Sequence, residues 1–109
     1  MFIQLRKIVV MAGNADEVVQ KFSKESPVDG MDGLIDRTVM VTKLSREEEE
    51  VVVMIRWDSR EDWKNWEKSD VHIQGHRDKK GQEPPACVVS TKVSMYEVQH
   101  VSQGKAFKG

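Results

Sequence analysis

A chain of 109 residues fits one domain. Its 17 basic and 18 acidic side chains leave a net charge of −1, so no bulk field would draw it to nucleic acid or an anionic membrane. With 39% hydrophobic and 32% charged residues the composition is that of a soluble protein with a modest core, because a chain this short buries only roughly 60–70% of its unfolded surface.

Cys87 stands alone, which excludes an intrachain disulfide and suits a reducing compartment. The segment Met1–Lys7 carries charge where a secretion signal needs an apolar run, and no apolar stretch reaches the length of a membrane span. The expectation is a cytoplasmic protein.

Phe2 to Met11, rich in Ile, Val and Leu, reads as a strand with apolar residues on both faces: Phe2, Gln4, Arg6, Ile8 and Val10 on one, Ile3, Leu5, Lys7, Val9 and Met11 on the other. Gly13 ends it. Asn14, with Glu17 three residues on, predicts a helix N-cap, and Ala15, Val18, Val19 and Phe22 form one apolar stripe at helical spacing. The helix is expected to end near Lys24, since Pro27, Asp29-Gly30 and Asp32-Gly33 are turn chemistry. Leu34 to Leu44 returns to strand, and the charged run Ser45 to Glu50 reads as a solvated hairpin loop. Val51 to Ile55 is apolar on both parities and predicts a central strand. Ser59 and Asp62, at capping-box spacing, open a second helix with Trp63 and Trp66. Ser69-Asp70 caps a further helical turn with His72, Ile73 and His76; Arg77 to Pro85 is expected to be a loop, and Val88 to Val98 the last strand.

The order β-α-β-β-α-β is the ferredoxin-like α+β arrangement, with a domain over 1–100 and a loose tail over 101–109. Two helices cover one face of a four-stranded sheet, yet two of the strands are apolar on both. A second copy packed sheet to sheet answers this, giving a homodimer of the dimeric α+β barrel type.

Chemistry-bearing residues gather between Trp57 and His76, where three tryptophans fall within ten residues. Trp63 and Trp66 at helical spacing suit packing on the sheet. His72 and His76, four apart, share a helical face, with Cys87 and His100 as the remaining soft ligands for a zinc site. Cys87 beside Val88-Val89 reads as a buried strand thiol. No glycine-rich phosphate loop and no flavin or nicotinamide fingerprint is present. From the residues alone the reading stops at a dimeric α+β domain with an aromatic, histidine-bearing pocket.

Asn65-Trp66-Glu67-Lys68-Ser69-Asp70-Val71-His72, followed by Gly75-His76, resembles the Trp-x-Lys-Ser-Asp…His segment of the IsdG-type haem-degrading monooxygenases, within the antibiotic biosynthesis monooxygenase family. The chain looks most like their HmoA-like branch. Met31-Asp32-Gly33-Leu34, Val51 to Trp57 and Val93-Ser94-Met95-Tyr96 also fit, so the resemblance spans essentially the whole predicted domain. It implies haem as both substrate and cofactor, His76 as the axial ligand to iron, and Trp66 as the side chain that presses the porphyrin out of plane. It also implies an external reductase as electron donor, with iron and an open-chain tetrapyrrole as products. Arg6 stands where the family has an asparagine, and a guanidinium offers donors and a fixed charge but no acceptor. Arg77, Lys79 and Lys80 would pair with the propionates. Two other readings stay open: haem binding or buffering without turnover, and a cofactor-independent oxygenase of small aromatic substrates.

Overall fold

The computed structural model describes residues 1–79 and 86–107, except for the side chains of His76, Asp78 and Lys79. Its elements are β1 (Phe2–Met11), α1 (Ala15–Ser23), a 3-10 turn (Pro27–Gly30), β2 (Leu34–Lys43), β3 (Glu48–Trp57), α2 (Arg60–Lys68), α3 (Asp70–Lys79) and β4 (Val88–Glu97). The strands form one antiparallel sheet in the order β2-β3-β1-β4, the ferredoxin-like arrangement. None of the helices among the described residues is long and apolar enough to cross a membrane.

The two strands that are apolar on both parities, β1 and β3, are the central ones, as expected for the strand through Val51–Ile55. On one face of the sheet, two clusters of core residues sit at opposite ends of β1. Ile8, Val10 and Val51 take Ala15 and Val18 of α1. Phe2 and Trp57 take Val28, with Trp63 and Trp66 of α2 packed against them. Phe2 and Trp63 stack with ring centres 5.2 Å apart, a pairing that adds roughly 0.5–1.5 kcal/mol to the burial itself. Between the two clusters the same face of β1 carries Gln4 and Arg6, and there neither helix closes on the sheet.

The opposite face presents Ile3, Leu5 and Val9 of β1 beside Val52 and Met54 of β3, all half-buried, with Met40 and Tyr96 exposed on the flanking strands. Both core clusters lie on the other side.

Four details differ from the expectations. Asn14 does not cap α1: its Nδ2 donates to the carbonyls of Met11 and Ala12, so it closes the turn behind β1. The second half of the charged run is strand, because β1 extends to Met11 and supplies pairing partners for Glu48, Glu49 and Glu50. Glu49 Oε1 also accepts from Gly13 N at 2.8 Å. The helix bearing His72 runs on to Lys79, past the expected start of the loop, and residues 80–85 of that loop lie outside the described ones. Cys87 is half-buried in the turn before β4, where its carbonyl accepts from Met11 N at 2.9 Å.

Candidate active site

The gap between the two core clusters is a cleft of ≈ 580 Å³, within the ~300–1,000 Å³ usual for small-molecule sites. The sheet is its floor. Across the strands, Arg37, Ile55, Gln4 and Met95 form one row, and Val39, Val53, Arg6 and Val93 the next row on that face. Trp66, Glu67, Val71, His72 and Gly75 of α2 and α3 line the helical side.

The corner between α2 and α3 is set by Ser69. Its Oγ donates to Trp66 O at 2.7 Å and accepts from His72 N at 3.2 Å, so one hydroxyl ends α2 and caps α3. At the other end of α2, Ser59 Oγ accepts from Asp62 N at 3.2 Å and donates to Asp62 Oδ2 at 2.9 Å, as the sequence spacing predicts. Asp62 lies against Gly33, whose φ of +84° and closeness to that carboxyl leave no room for a side chain. The start of α2, and through it Trp66, is thereby fixed against the Gly33 turn, whose carbonyl accepts from Asp58 N at 2.8 Å.

Of the two guanidinium groups lining the cleft, Arg37 is fully engaged. Its Nε and Nη2 donate to the Asp29 carboxylate at 2.7 and 3.0 Å, and Nη1 and Nη2 donate to the carbonyls of Phe22 and Lys24, each at 3.0 Å. The Arg37 hydrogen bonds hold the Asp29 carboxyl below its ordinary 3.8, helped by Ser26 N. This clamp ties the end of α1, the 3-10 turn and β2 together along one wall. Arg6 is half-buried and hydrogen-bonds no described residue, so its charge is available to whatever enters. Gln4 is 8% exposed, and its amide likewise has no partner among the described residues.

The structure thus brings Trp66 and Arg6, proposed from the sequence, to one cleft. It places the backbone of His76 on α3 directly after Gly75, and the His76 side chain lies outside the described residues. Arg77 is exposed on the same helix, whereas the Lys79 side chain and Lys80 lie outside the described residues. His100 lies beyond β4, its Nε2 2.6 Å from Ser102 Oγ. Sequence reasoning overlooked Gln4 and Arg37. The signal for Gln4 was its place on the Phe2–Val10 face of β1 between apolar residues, where a polar side chain needs a reason.

The sequence matches the antibiotic biosynthesis monooxygenase family over residues 1–78. It is 53% identical over 104 residues to the heme-degrading monooxygenase HmoA of Bacillus subtilis, covering 95% of this chain and 96% of that relative. A Bacillus cereus chain classed among the antibiotic biosynthesis monooxygenases superposes with a TM-score of 0.82 at 36% identity, covering 94% of this chain and 97% of the other. MhuD, a heme-degrader from Mycobacterium tuberculosis whose structure has two hemes in its active site, shares the fold at a TM-score of 0.67 and 17% identity, covering 94% of this chain and all of MhuD. With the ferredoxin-like sheet, the Trp66-walled cleft and a match over most of its length, the chain belongs to the antibiotic biosynthesis monooxygenase family.

Proposed function

We propose that this chain is a haem-degrading monooxygenase that takes haem into the cleft as its substrate. One observation carries the reading: a mostly apolar slot, walled by Trp66 and lined by the α3 residue next to His76, has a floor with a guanidinium that hydrogen-bonds no described residue. A flat apolar disc with an anionic edge is the shape and charge that such a slot accepts. The extent of the HmoA match supports the same substrate.

Haem supplies both the iron at which dioxygen is activated and the ring that is opened. The chain's residues bind and orient it. His76 of α3 is assigned as the ligand that would hold the haem iron. Trp66 presses its indole on the ring, which brings the reacting edge into position. Arg6 is assigned to the anionic edge or to polar groups above the floor, since its donors and charge suit an acceptor. Electrons come from an external donor. The half-apolar face carrying Ile3, Leu5, Met54 and Tyr96 is assigned to a second copy of the chain. A monomeric mass at micromolar concentration removes that assignment.

The deciding experiment is a haemin titration of the purified apo-protein, followed by ascorbate in air with catalase present. A saturable Soret band at about one haem per chain, lost on reduction with release of iron, is the expected result. A band that survives reductant leaves binding without turnover and makes Arg6→Asn the next variant. No band at all hands the cleft to a metal-free oxygenase. His76→Ala is expected to abolish the Soret shift, and an unchanged spectrum takes His76 out of the site.

A further inference from the structure

Met95 stands apart from the rest of the cleft by its chemistry. It is the one thioether lining the cleft among the described residues, and it lies on β4 in the row of Ile55 and Gln4. Neighbouring strands are spaced about 4.8 Å apart, so these three positions span about 10 Å of the floor. A flat ligand resting on that row covers Met95 together with Gln4. Thioether sulfur is polarizable and accepts an oxygen atom without any bond of the side chain breaking. The aliphatic side chains around it, Val53, Ile55 and Val93, have no such reactive atom.

Packing does not ask for sulfur at this position. Met95 belongs to neither core cluster, and leucine would fill its volume equally well. Exposure does not single it out either. Met95 and Met1 are each 40% exposed, Met40 41% and Met11 54%. What separates Met95 is its place inside a cleft in which, on the haem reading, dioxygen is activated. We propose that Met95 is an oxidation site of the cleft, taking the oxygen atom that misses the porphyrin, and that its sulfoxide weakens haem binding and so limits turnover. A sulfur lone pair forms the S–O bond as the O–O bond breaks. Dioxygen takes two electrons from sulfur and two from the external donor, and with two protons its second atom leaves as water. The product is a polar, branched group in a row that otherwise receives an apolar ring, and methionine sulfoxide reductases reverse it. This inference rests on the haem reading of the cleft.

The test is peptide mass mapping of the full chain after two treatments. Haemin-loaded protein is turned over with ascorbate in air, with catalase removing free peroxide, and haem-free protein is treated with hydrogen peroxide alone. In the loaded protein the Met95 peptide is expected to gain about 16 Da, one oxygen atom, severalfold more often than the peptides of Met1 and Met11. In the haem-free protein Met95 is expected to be oxidised no faster than those two. The turned-over chain, freed of tetrapyrrole, is expected to bind fresh haemin at least about threefold more weakly than before, and methionine sulfoxide reductases are expected to restore it. Met95→Leu, taken through the same turnover, is expected to keep its own starting affinity. Oxidation of Met95 no greater than that of Met1 and Met11 in the loaded protein overturns the assignment. So does a Met95 sulfoxide that binds haemin as before, or an equal affinity loss in Met95→Leu. A wild type without a Soret band brings down the haem reading and this assignment with it. A normal wild-type band with Met95 unmodified after turnover removes Met95 alone.

Discussion

The indole of Trp66 and the imidazole of His72 meet edge to face, with ring centres 4.8 Å apart and planes inclined by 62°. His72 Nε2 also lies 2.8 Å from Glu67 Oε2, on the residue after Trp66. Three side chains from both sides of the α2–α3 corner therefore brace one another, and the aromatic wall of the cleft does not depend on α2 alone.

If His72 steadies Trp66, His72→Ala should cost roughly 0.5–1.5 kcal/mol in denaturant unfolding, the scale of an aromatic pair. It should also slow haemin breakdown more than it weakens haemin binding. His72→Phe keeps the ring contact and is expected to recover most of the rate. Equal rates in the wild type and the alanine variant would leave His72 as packing only.

Ser69→Ala removes the hydroxyl that serves both helices. A lost cap costs about 1 kcal/mol, and the urea midpoint should fall accordingly. Because Trp66 O is one of the partners, haemin affinity should fall as well, while Ser69→Thr restores both. A midpoint loss with unchanged haemin affinity would separate the corner from the site.

Gly75 lines the cleft, and a Cβ built on it meets nothing within 4 Å. Gly75→Ala is therefore expected to stabilise the apo-protein by roughly 0.5–1 kcal/mol through helix propensity. Gly75→Leu fills space a flat ligand needs and is expected to weaken haemin binding by at least about tenfold, or 1.4 kcal/mol. Normal haemin affinity in the leucine variant would show that the ligand does not lie against this turn of α3.

Asp29 titrates below its ordinary 3.8 because Arg37 hydrogen-bonds the carboxylate. A carboxyl with a lowered folded value contributes stability in full above the unfolded value and loses it as pH falls through the folded one. Asp36, held down by its hydrogen bonds from Arg56, acts in the same direction. Unfolding measured from neutral pH down to about pH 2 should show Asp29→Asn least stable relative to the wild type at neutral pH, with the gap closing below 3.8. A gap that stays constant with pH would mean that Asp29 acts through its shape and not its charge.

The parts of this protein that were legible in the sequence are those where one physical rule dominates. Apolar residues on both parities put β1 and β3 at the centre of the sheet, and the Ser59–Asp62 spacing marked the start of α2. Trp63 packs on Phe2 as its spacing with Trp66 suggested. Where two rules compete, the sequence misleads. Glu48 to Glu50 look like a solvated loop until their register against Val9, Val10 and Met11 of β1 is known. Asn14 has the chemistry of a cap, yet its amide is claimed by the turn behind it. Arg37 reads as a polar position on an alternating strand, because its partners, Asp29 and the carbonyls of Phe22 and Lys24, converge only after the chain has folded back.

The alternation of β1 has a consequence for how this protein can change. Gln4 and Arg6 face the cleft while Ile3 and Leu5 face away, so inserting or deleting a single residue before them would exchange the two surfaces wholesale. Point replacement leaves that arrangement intact; a change in strand length does not. The sheet's own irregularities respect the limit: the register slips between β2 and β3 at Leu34/Asp36, and between β1 and β4 at Val9/Val10, where Val88 follows Ser90 as the partner. That slip absorbs an extra residue, Val89, on the neighbouring strand and beyond the rows of Gln4 and Arg6. Extra residues are thus taken up at the two ends of the sheet, outside the rows of Gln4 and Arg6, where they do not turn the floor inside out.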